Sequence, residues 1–514
     1  MCFGAVVCLH FGRNGFNPLD QSIVFDGGWR ILSGQVPFRD FSALTGTTPS
    51  VVQALFFRIF GVNWFAYCLH AAFFNGLFCV LVYWMLRVFR LPVASSFFYA
   101  LCSGLAFYTP VGTPYMEQHG FFFLLVTMLA LVHLFTSRRV RTGLCLGVAA
   151  SLSFVAMCFS KQNVALFAAL PLLTLSALFL RKKDARAKLG LLTAGAGLAL
   201  LLCWLATLAL GISLSTLELE FIRIPLLVGG GRFTGLELVL GALFPQNFAL
   251  ISVGLSSILF AASPFALRGA SRAQIPFIRK SIGFLALAAS LEVACMLFAR
   301  NTVNQKENAF PFLFLSLGFL DAAVRRMPAF RHRTLFPVAA LALLTMREAV
   351  QFRHYDAIRS VADIVFEPAR VIPFRTPELQ FMRYQIWDKA NEITAPDLDR
   401  VIDNLRRSPD NFFLLGDYSI LYGLTGKPSV LPSLWIHEGL VKPAFQRRWM
   451  SAYESHLLAN LHRYRVKTIV LEGSHPYFDV TLRTFPAVQK MVTERTESVE
   501  VIGPYRLIHL NSRF

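Results

Sequence analysis

The chain has 514 residues, 55% of them hydrophobic and 50 of them Phe, with only 15% charged. Its apolar residues fall in blocks that reach the ~20 residues a helix needs to cross a bilayer, which excludes a disordered, fibrous or ordinary soluble protein. Lys and Arg (49) exceed Asp and Glu (30) by 19 charges, but the excess sits in short loops between apolar runs. There it reads as membrane topology, and no nucleic-acid partner is expected.

The first apolar stretch, residues 1–11, is too short to span and lacks the basic start of a signal peptide. It reads as the end of a first transmembrane helix whose beginning is missing. A long amphipathic loop follows, roughly residues 12–62. Further spans are expected at residues 63–86, 94–109, 120–136, 143–160, 163–180, 189–212, 248–267, 281–299, 309–323 and 335–346, about eleven with the truncated first.

Basic residues alternate between loops. Arg87 and Arg90, Arg138 to Arg141, Arg181 to Lys188, Arg268 to Lys280 and Arg325 to Arg333 make one rich set. The opposite loops carry few. The positive-inside rule therefore predicts a cytoplasmic N-terminus, and places the first long loop and everything after about residue 349 on the exported face of a bacterial plasma membrane.

Two domains follow: residues 1–349 within the membrane, and residues 350–514 as a small soluble α/β domain. In the second, strands are expected at 412–415, 468–471, 499–502 and 505–509. Helices are expected at 397–407, 444–464 and 487–493. The nine cysteines form no CxxC pair and none follows Cys295, so no zinc or redox motif is present.

The first loop contains Phe25-Asp26-Gly27-Gly28-Trp29-Arg30, then Gly34-Gln35-Val36-Pro37-Phe38-Arg39-Asp40-Phe41. Trp29, Ile31, Leu32 and Phe38 make it amphipathic, so it is expected to lie along the membrane surface. Residues 51–60 read as a second interfacial helix. Asp26 either acts in chemistry or caps a surface helix starting at Gly27. Asp40 either acts or forms a local ion pair with Arg39.

Further along, Glu117 and His119 lie in Pro114-Tyr115-Met116-Glu117-Gln118-His119, and Lys161-Gln162 opens a later span. Lys161, Arg223, Arg232, Arg300 and Lys306 lie on the expected exported side, against the positive-inside trend. A leaving phosphate needs such cations, and an acceptor hydroxyl needs a base. Lys161 at a helix end also fits simple snorkelling. Val228-Gly229-Gly230-Gly231-Arg232 lacks the Lys-Ser/Thr of a P-loop and reads as a flexible turn. Asn75 and His133 read as residues satisfied within the bundle, and Trp435-Ile436-His437-Glu438 as local packing.

In these motifs the chain resembles the GT-C glycosyltransferases, in particular the bacterial branch similar to aminoarabinose and protein O-mannosyl transferases. The likeness rests on Asp26 after the first helix, the Gly34 to Phe41 stretch, Glu117, Lys161-Gln162, and Gly416-Asp417, Leu421-Tyr422 and Gly426 in the tail. It implies transfer of a sugar, with inversion, from a polyprenyl-phosphate donor to an exported glycan, lipid or protein. It implies Asp26 or Asp40 as base, because Gly27 stands where many relatives have a second acid. It implies substrate contacts from Arg39, Glu117, His119, Lys161 and Gln162; Arg223, Arg232, Arg300 and Lys306 join them as candidate phosphate contacts by their exported position alone. A divalent metal at Glu117 and His119 is a weaker implication, since two ligands do not make a site. The other class the sequence allows is a polytopic transporter or flippase of a lipid-linked or polar substrate. Against it stands the absence of paired broken helices in two symmetric halves.

Overall fold

The computed structural model describes residues 1–16, 18–108, 112–180, 184–230, 275–301, 311–326, 373–386, 393–435, 447–473 and 482–513. The described chain is mostly helical. Among the described residues six helices are long and apolar enough to cross a membrane: α4 (Trp64–Val88), α6 (Met116–Thr136), α7 (Val140–Cys158), α8 (Gln162–Leu180), α9 (Ala185–Ala209) and α12 (Ile275–Asn301). Each answers an expected span. Three more expected spans are shorter apolar helices: α1 (Cys2–Gly12), α5 (Val93–Ala106) and α13 (Leu313–Val324). The spans expected at 248–267 and 335–346 lie outside the described residues.

Small residues set the closest helix crossings. Gly143, Gly147 and Ser151 recur every fourth position on the buried face of α7. Gly147 meets Gly195 of α9, where a built Cβ would lie 2.4 Å from the Gly147 carbonyl carbon, and Gly143 and Gly147 both pack against Leu191. Such small-residue stripes let helix backbones approach where lipid supplies no hydrophobic drive. Asn75 of α4 is satisfied, as expected: its amide donates to Gly4 O and Gly104 O, each at 2.8 Å, and its oxygen accepts from Tyr108 N at 3.0 Å. One buried amide thus ties α1, α4 and α5 together. His133, by contrast, is exposed on the last turn of α6 rather than held in the bundle.

The C-terminal part is a small α/β unit. Strands β3 (Asn411–Leu415), β4 (Val466–Glu472), β5 (Thr496–Ile502) and β6 (Tyr505–Leu510) form one sheet in the order β3-β4-β6-β5. β3 and β4 are parallel and the other pairs antiparallel. Helices α14 (Ala395–Arg407), α15 (Ile420–Thr425), α16 (Arg447–Arg463) and α17 (Pro486–Arg495) complete it. All four strands and three of these helices fall where the sequence predicts them. α14 shows why. Thr394 and Asp397 form a reciprocal capping box, and Leu398, Val401, Ile402 and Leu405 repeat on one buried face.

The first loop departs from expectation. It contains α2 (Pro18–Leu32) and α3 (Thr48–Phe60). α2 starts at Pro18, so Asp26 lies inside the helix and caps nothing. Nor does α2 rest bare on the membrane surface. Its apolar residues Ile23, Val24 and Phe25 are buried in a core shared with Phe57, Tyr67, Leu421 and Tyr422. The C-terminal unit supplies that cover, and Gly423 of α15 packs directly on Phe25 and Trp29. α3 does present an apolar face outward: Val51, Leu55 and Ile59 are exposed while Ser50 and Gln53 are buried. That inverted polarity suits a helix in contact with lipid.

The tail also pairs with the chain start. β1 (Asn14–Phe16) runs parallel to β2 (Arg383–Ile386). Residues 427–433 then accept hydrogen bonds in succession along α2 and the loop after it. Trp29 Nε1 donates to Lys427 O at 2.8 Å, Gln35 Nε2 to Ser429 O at 2.9 Å and Ser42 N to Pro432 O at 2.7 Å. The boundary expected near residue 350 lies outside the described residues.

Candidate functional site

The site is built where α6 and α8 begin. Glu117 lies in the first turn of α6 and Lys161 in the short turn between α7 and α8. Their charges meet at 2.9 Å, with the Glu117 side chain 1% exposed and Lys161 17%. Glu117 Oε2 is buried with no hydrogen-bond partner among the described residues. An acid this deep, paired on one oxygen only, is placed to hold a further donor or to orient its lysine.

The segment between α2 and α3 is strapped across the same junction. Gln162 Nε2 donates to Leu44 O at 2.7 Å. Thr47 N and Thr48 N both donate to Phe159 O, at 2.6 and 3.0 Å, and Thr48 Oγ1 donates to Ala156 O at 3.1 Å. Two motifs far apart in sequence, the Gly34 to Phe41 stretch with its continuation and Lys161-Gln162, are therefore neighbours.

The tip of the strap is a tight turn. Phe38 has φ +64°, a left-handed conformation costly for a bulky residue, and its N–H donates to Phe41 O at 2.8 Å. Its ring lies among Phe159 and Phe221. The turn presents Arg39 and Asp40, which pair at 2.7 Å; Asp40 also accepts from Val36 N at 2.7 Å. Burial works to raise the Asp40 carboxyl, but the Arg39 guanidinium and the Val36 amide outweigh it and hold it below the usual range. The Asp40 side chain remains 15% exposed, and Arg39 reaches Leu210 O at 3.1 Å.

Asp26 is differently placed. It is fully buried, accepting from Arg30 Nε at 2.7 Å and from Ser429 Oγ at 2.5 Å. Burial raises its carboxyl, opposed by Arg30 and by the Ser429 bond. Arg30 continues to Leu431 O at 2.7 Å and Ser433 O at 3.3 Å, and lies over the Phe41 ring. This pair pins the C-terminal unit onto α2.

The remaining candidates divide. His119 turns into the bundle and meets His70 rather than Glu117. Arg223 forms an exposed pair with Glu218 at 2.8 Å. The side chain of Arg300, on α12, and both Arg232 and Lys306 lie outside the described residues, as do His437 and Glu438. Val228 to Gly230 end helix α11 (Ile224–Gly230) instead of forming the expected turn. Among the described residues no cluster of three or more His, Cys, Asp or Glu is placed to hold a metal ion.

Two further acids escaped the sequence reading. Glu220 lies in a single π-helical turn, Leu219–Arg223, after α10 (Leu214–Glu218). Its carboxylate bonds the Ser42 hydroxyl and the Ala43 amide, and burial pushes it up to about 7. π-Turns recur at functional sites, but no pattern in the sequence announces one. Asp20, half-buried in the first turn of α2, is the other.

Fold and site together define an integral membrane protein whose C-terminal α/β unit packs on the first-loop helix α2. No protein-family model matches the chain, and no curated protein is similar to it in sequence. Among solved structures it is similar to ArnT from Cupriavidus metallidurans in the apo state, with 11% identity, a TM-score of 0.45, and coverage of 98% of this chain and 95% of that one. It is also similar to the same protein bound to undecaprenyl phosphate, with 11% identity, a TM-score of 0.43 and coverage of 98% and 96%.

Proposed function

We propose that the chain is a membrane glycosyltransferase that moves a sugar from a polyprenyl-phosphate donor to an exported cell-envelope acceptor, with inversion. The observation that carries it is the Glu117–Lys161 pair beneath the strap, a cation held at a helix end by a buried acid. Such a lysine, in a partly desolvated place, suits a phosphate that leaves as an anion. Arg39, at the tip of the strap, is a second cation for the same phosphate.

Of the two first-loop acids singled out in the sequence, Asp40 is partly exposed and Asp26 is not. The proposal therefore gives the base to Asp40, which takes the acceptor proton as the sugar–phosphate bond breaks. Asp26 pins the C-terminal unit. The N-terminus is cytoplasmic and the C-terminal unit exported in this reading, as the Arg/Lys asymmetry requires.

The test is envelope-glycan analysis of cells carrying wild-type protein, Lys161→Ala or Asp40→Asn. Loss of one sugar modification in both variants, with normal protein levels, is the expected result. An unchanged glycan in both overturns the reading. The transporter alternative draws on Glu292, fully buried within α12, because acids inside spans mark ion pathways. Loss of function in Glu292→Gln with an intact site pair would favour it.

A further inference from the structure

The first turn of α6 carries Glu117, yet its N-cap residue, Tyr115, makes no side-chain cap. The Tyr115 carbonyl is held instead by other groups. It accepts from His119 N at 3.2 Å, lies 3.0 Å from His119 Nδ1, and accepts from Tyr108 Oη at 3.3 Å. Tyr108 Oη also contacts His119 Nδ1 directly.

The His119 ring is fixed in turn. Its Nε2 lies 2.8 Å from Nε2 of His70 on α4, so one ring donates its N–H to the lone pair of the other. His70 Nδ1 is 2.8 Å from Gln53 Oε1 on α3, and the Phe56 ring stacks on His70 at 4.9 Å. Gln53 packs against Gly28 of α2, where a Cβ would come within 2.6 Å of its side chain. Gln53, His70, His119 and Tyr108 are all fully buried.

This row is an unbroken polar chain from α3 to the turn that aims Glu117 at Lys161. An apolar packing role needs no such chain, since each buried polar atom must be matched or costs stability. We propose that His70 and His119 are positioning residues, which hold the α6 turn so that Glu117 meets Lys161. They bind no substrate themselves. The kinetic consequence rests on the glycosyl-transfer reading; the structural one does not.

The experiment has two arms. In the first, purified full-length variants are assayed for transfer. His119→Phe keeps a planar ring and removes all three side-chain polar contacts, and should lower transfer by about 10²-fold, the effect of a misplacement of order 1 Å. His119→Asn keeps a donor near the Nδ1 position, within reach of the Tyr115 carbonyl, and should recover most of it. Equal impairment of the two variants, or none in either, overturns the proposal.

In the second arm, thermal unfolding of His119→Phe, Glu117→Gln and the double variant forms a cycle that needs no activity. Positioning predicts non-additive shifts in Tm, because the two changes damage one arrangement. Additive shifts overturn it. If the wild type transfers no sugar, the proposed function fails, and the cycle still decides the role of His119.

Discussion

Asp26→Asn separates a structural acid from a catalytic one. In the wild type, Asp26 neutralises Arg30 at 2.7 Å in a place with no solvent. The substitution keeps the size and the bond to Ser429, but leaves Arg30 charged and buried against the Leu431 and Ser433 carbonyls. Breaking a buried pair by removing one partner costs about 3–5 kcal/mol. The two carbonyls still solvate the guanidinium, so about 3 kcal/mol is the reasonable figure here, roughly a 10²-fold loosening of the C-terminal unit on α2. Detergent-solubilised protein should melt several degrees lower and be cut sooner by protease around residues 427–433. Transfer per folded molecule should fall much less than the roughly 10²–10⁴ expected on losing a base. Unchanged melting with transfer abolished would refute the pinning argument and return the base to Asp26.

Asp40→Asn should leave melting within about 1 kcal/mol of wild type, because its pair with Arg39 is at the surface, and should lower transfer by at least 10²-fold; Asp20→Asn is the control, and full activity in Asp40→Asn with loss in Asp20→Asn would move the base to Asp20. Glu220 titrates from 4.5 to about 7 on burial. Its folded form binds the extra proton, so its contribution is complete below about pH 4.5 and is lost as pH rises through about 7, roughly 3 kcal/mol in all. Melting curves of Glu220→Gln should lack that part of the pH dependence, and an unchanged pH profile would contradict the assignment. Glu472 is raised by burial first and then by the Asp417 charge; its contribution therefore also falls with rising pH, and Glu472→Gln should melt higher than wild type above neutral pH. Gly195→Val places carbon atoms against the α7 backbone, 2.4 Å from the Gly147 carbonyl carbon. It should destabilise the bundle by at least the 1–3 kcal/mol of ordinary overpacking, measured by unfolding in detergent.

What was legible in the sequence follows from how local the determinants are. The apolar helices α4 and α6 to α9 could be read because each carries its own length and composition. The strands and helices of the C-terminal sheet could be read because alternation, Pro starts and the Thr394–Asp397 cap are short-range signals. Glu117 and Lys161 could be singled out as charges at helix ends, but nothing local says that they meet at 2.9 Å. The cover over the first loop could not be read for the same reason. Its Trp29, Ile31 and Leu32 do form an apolar face, and a lone amphipathic helix next to a span belongs on the membrane. The cover comes from residues about 400 positions later, where Ser429, Leu431 and Ser433 receive Asp26 and Arg30. Asp26 looks catalytic in sequence because a buried ion pair and an active-site acid draw on the same residue types. Burial distinguishes them: both oxygens of each acid accept hydrogen bonds, but Asp26 is fully buried and Asp40 keeps 15% of its side chain exposed. That contrast is why the proposed function gives the base to Asp40, in the turn where Phe38 takes a positive φ, and not to Asp26.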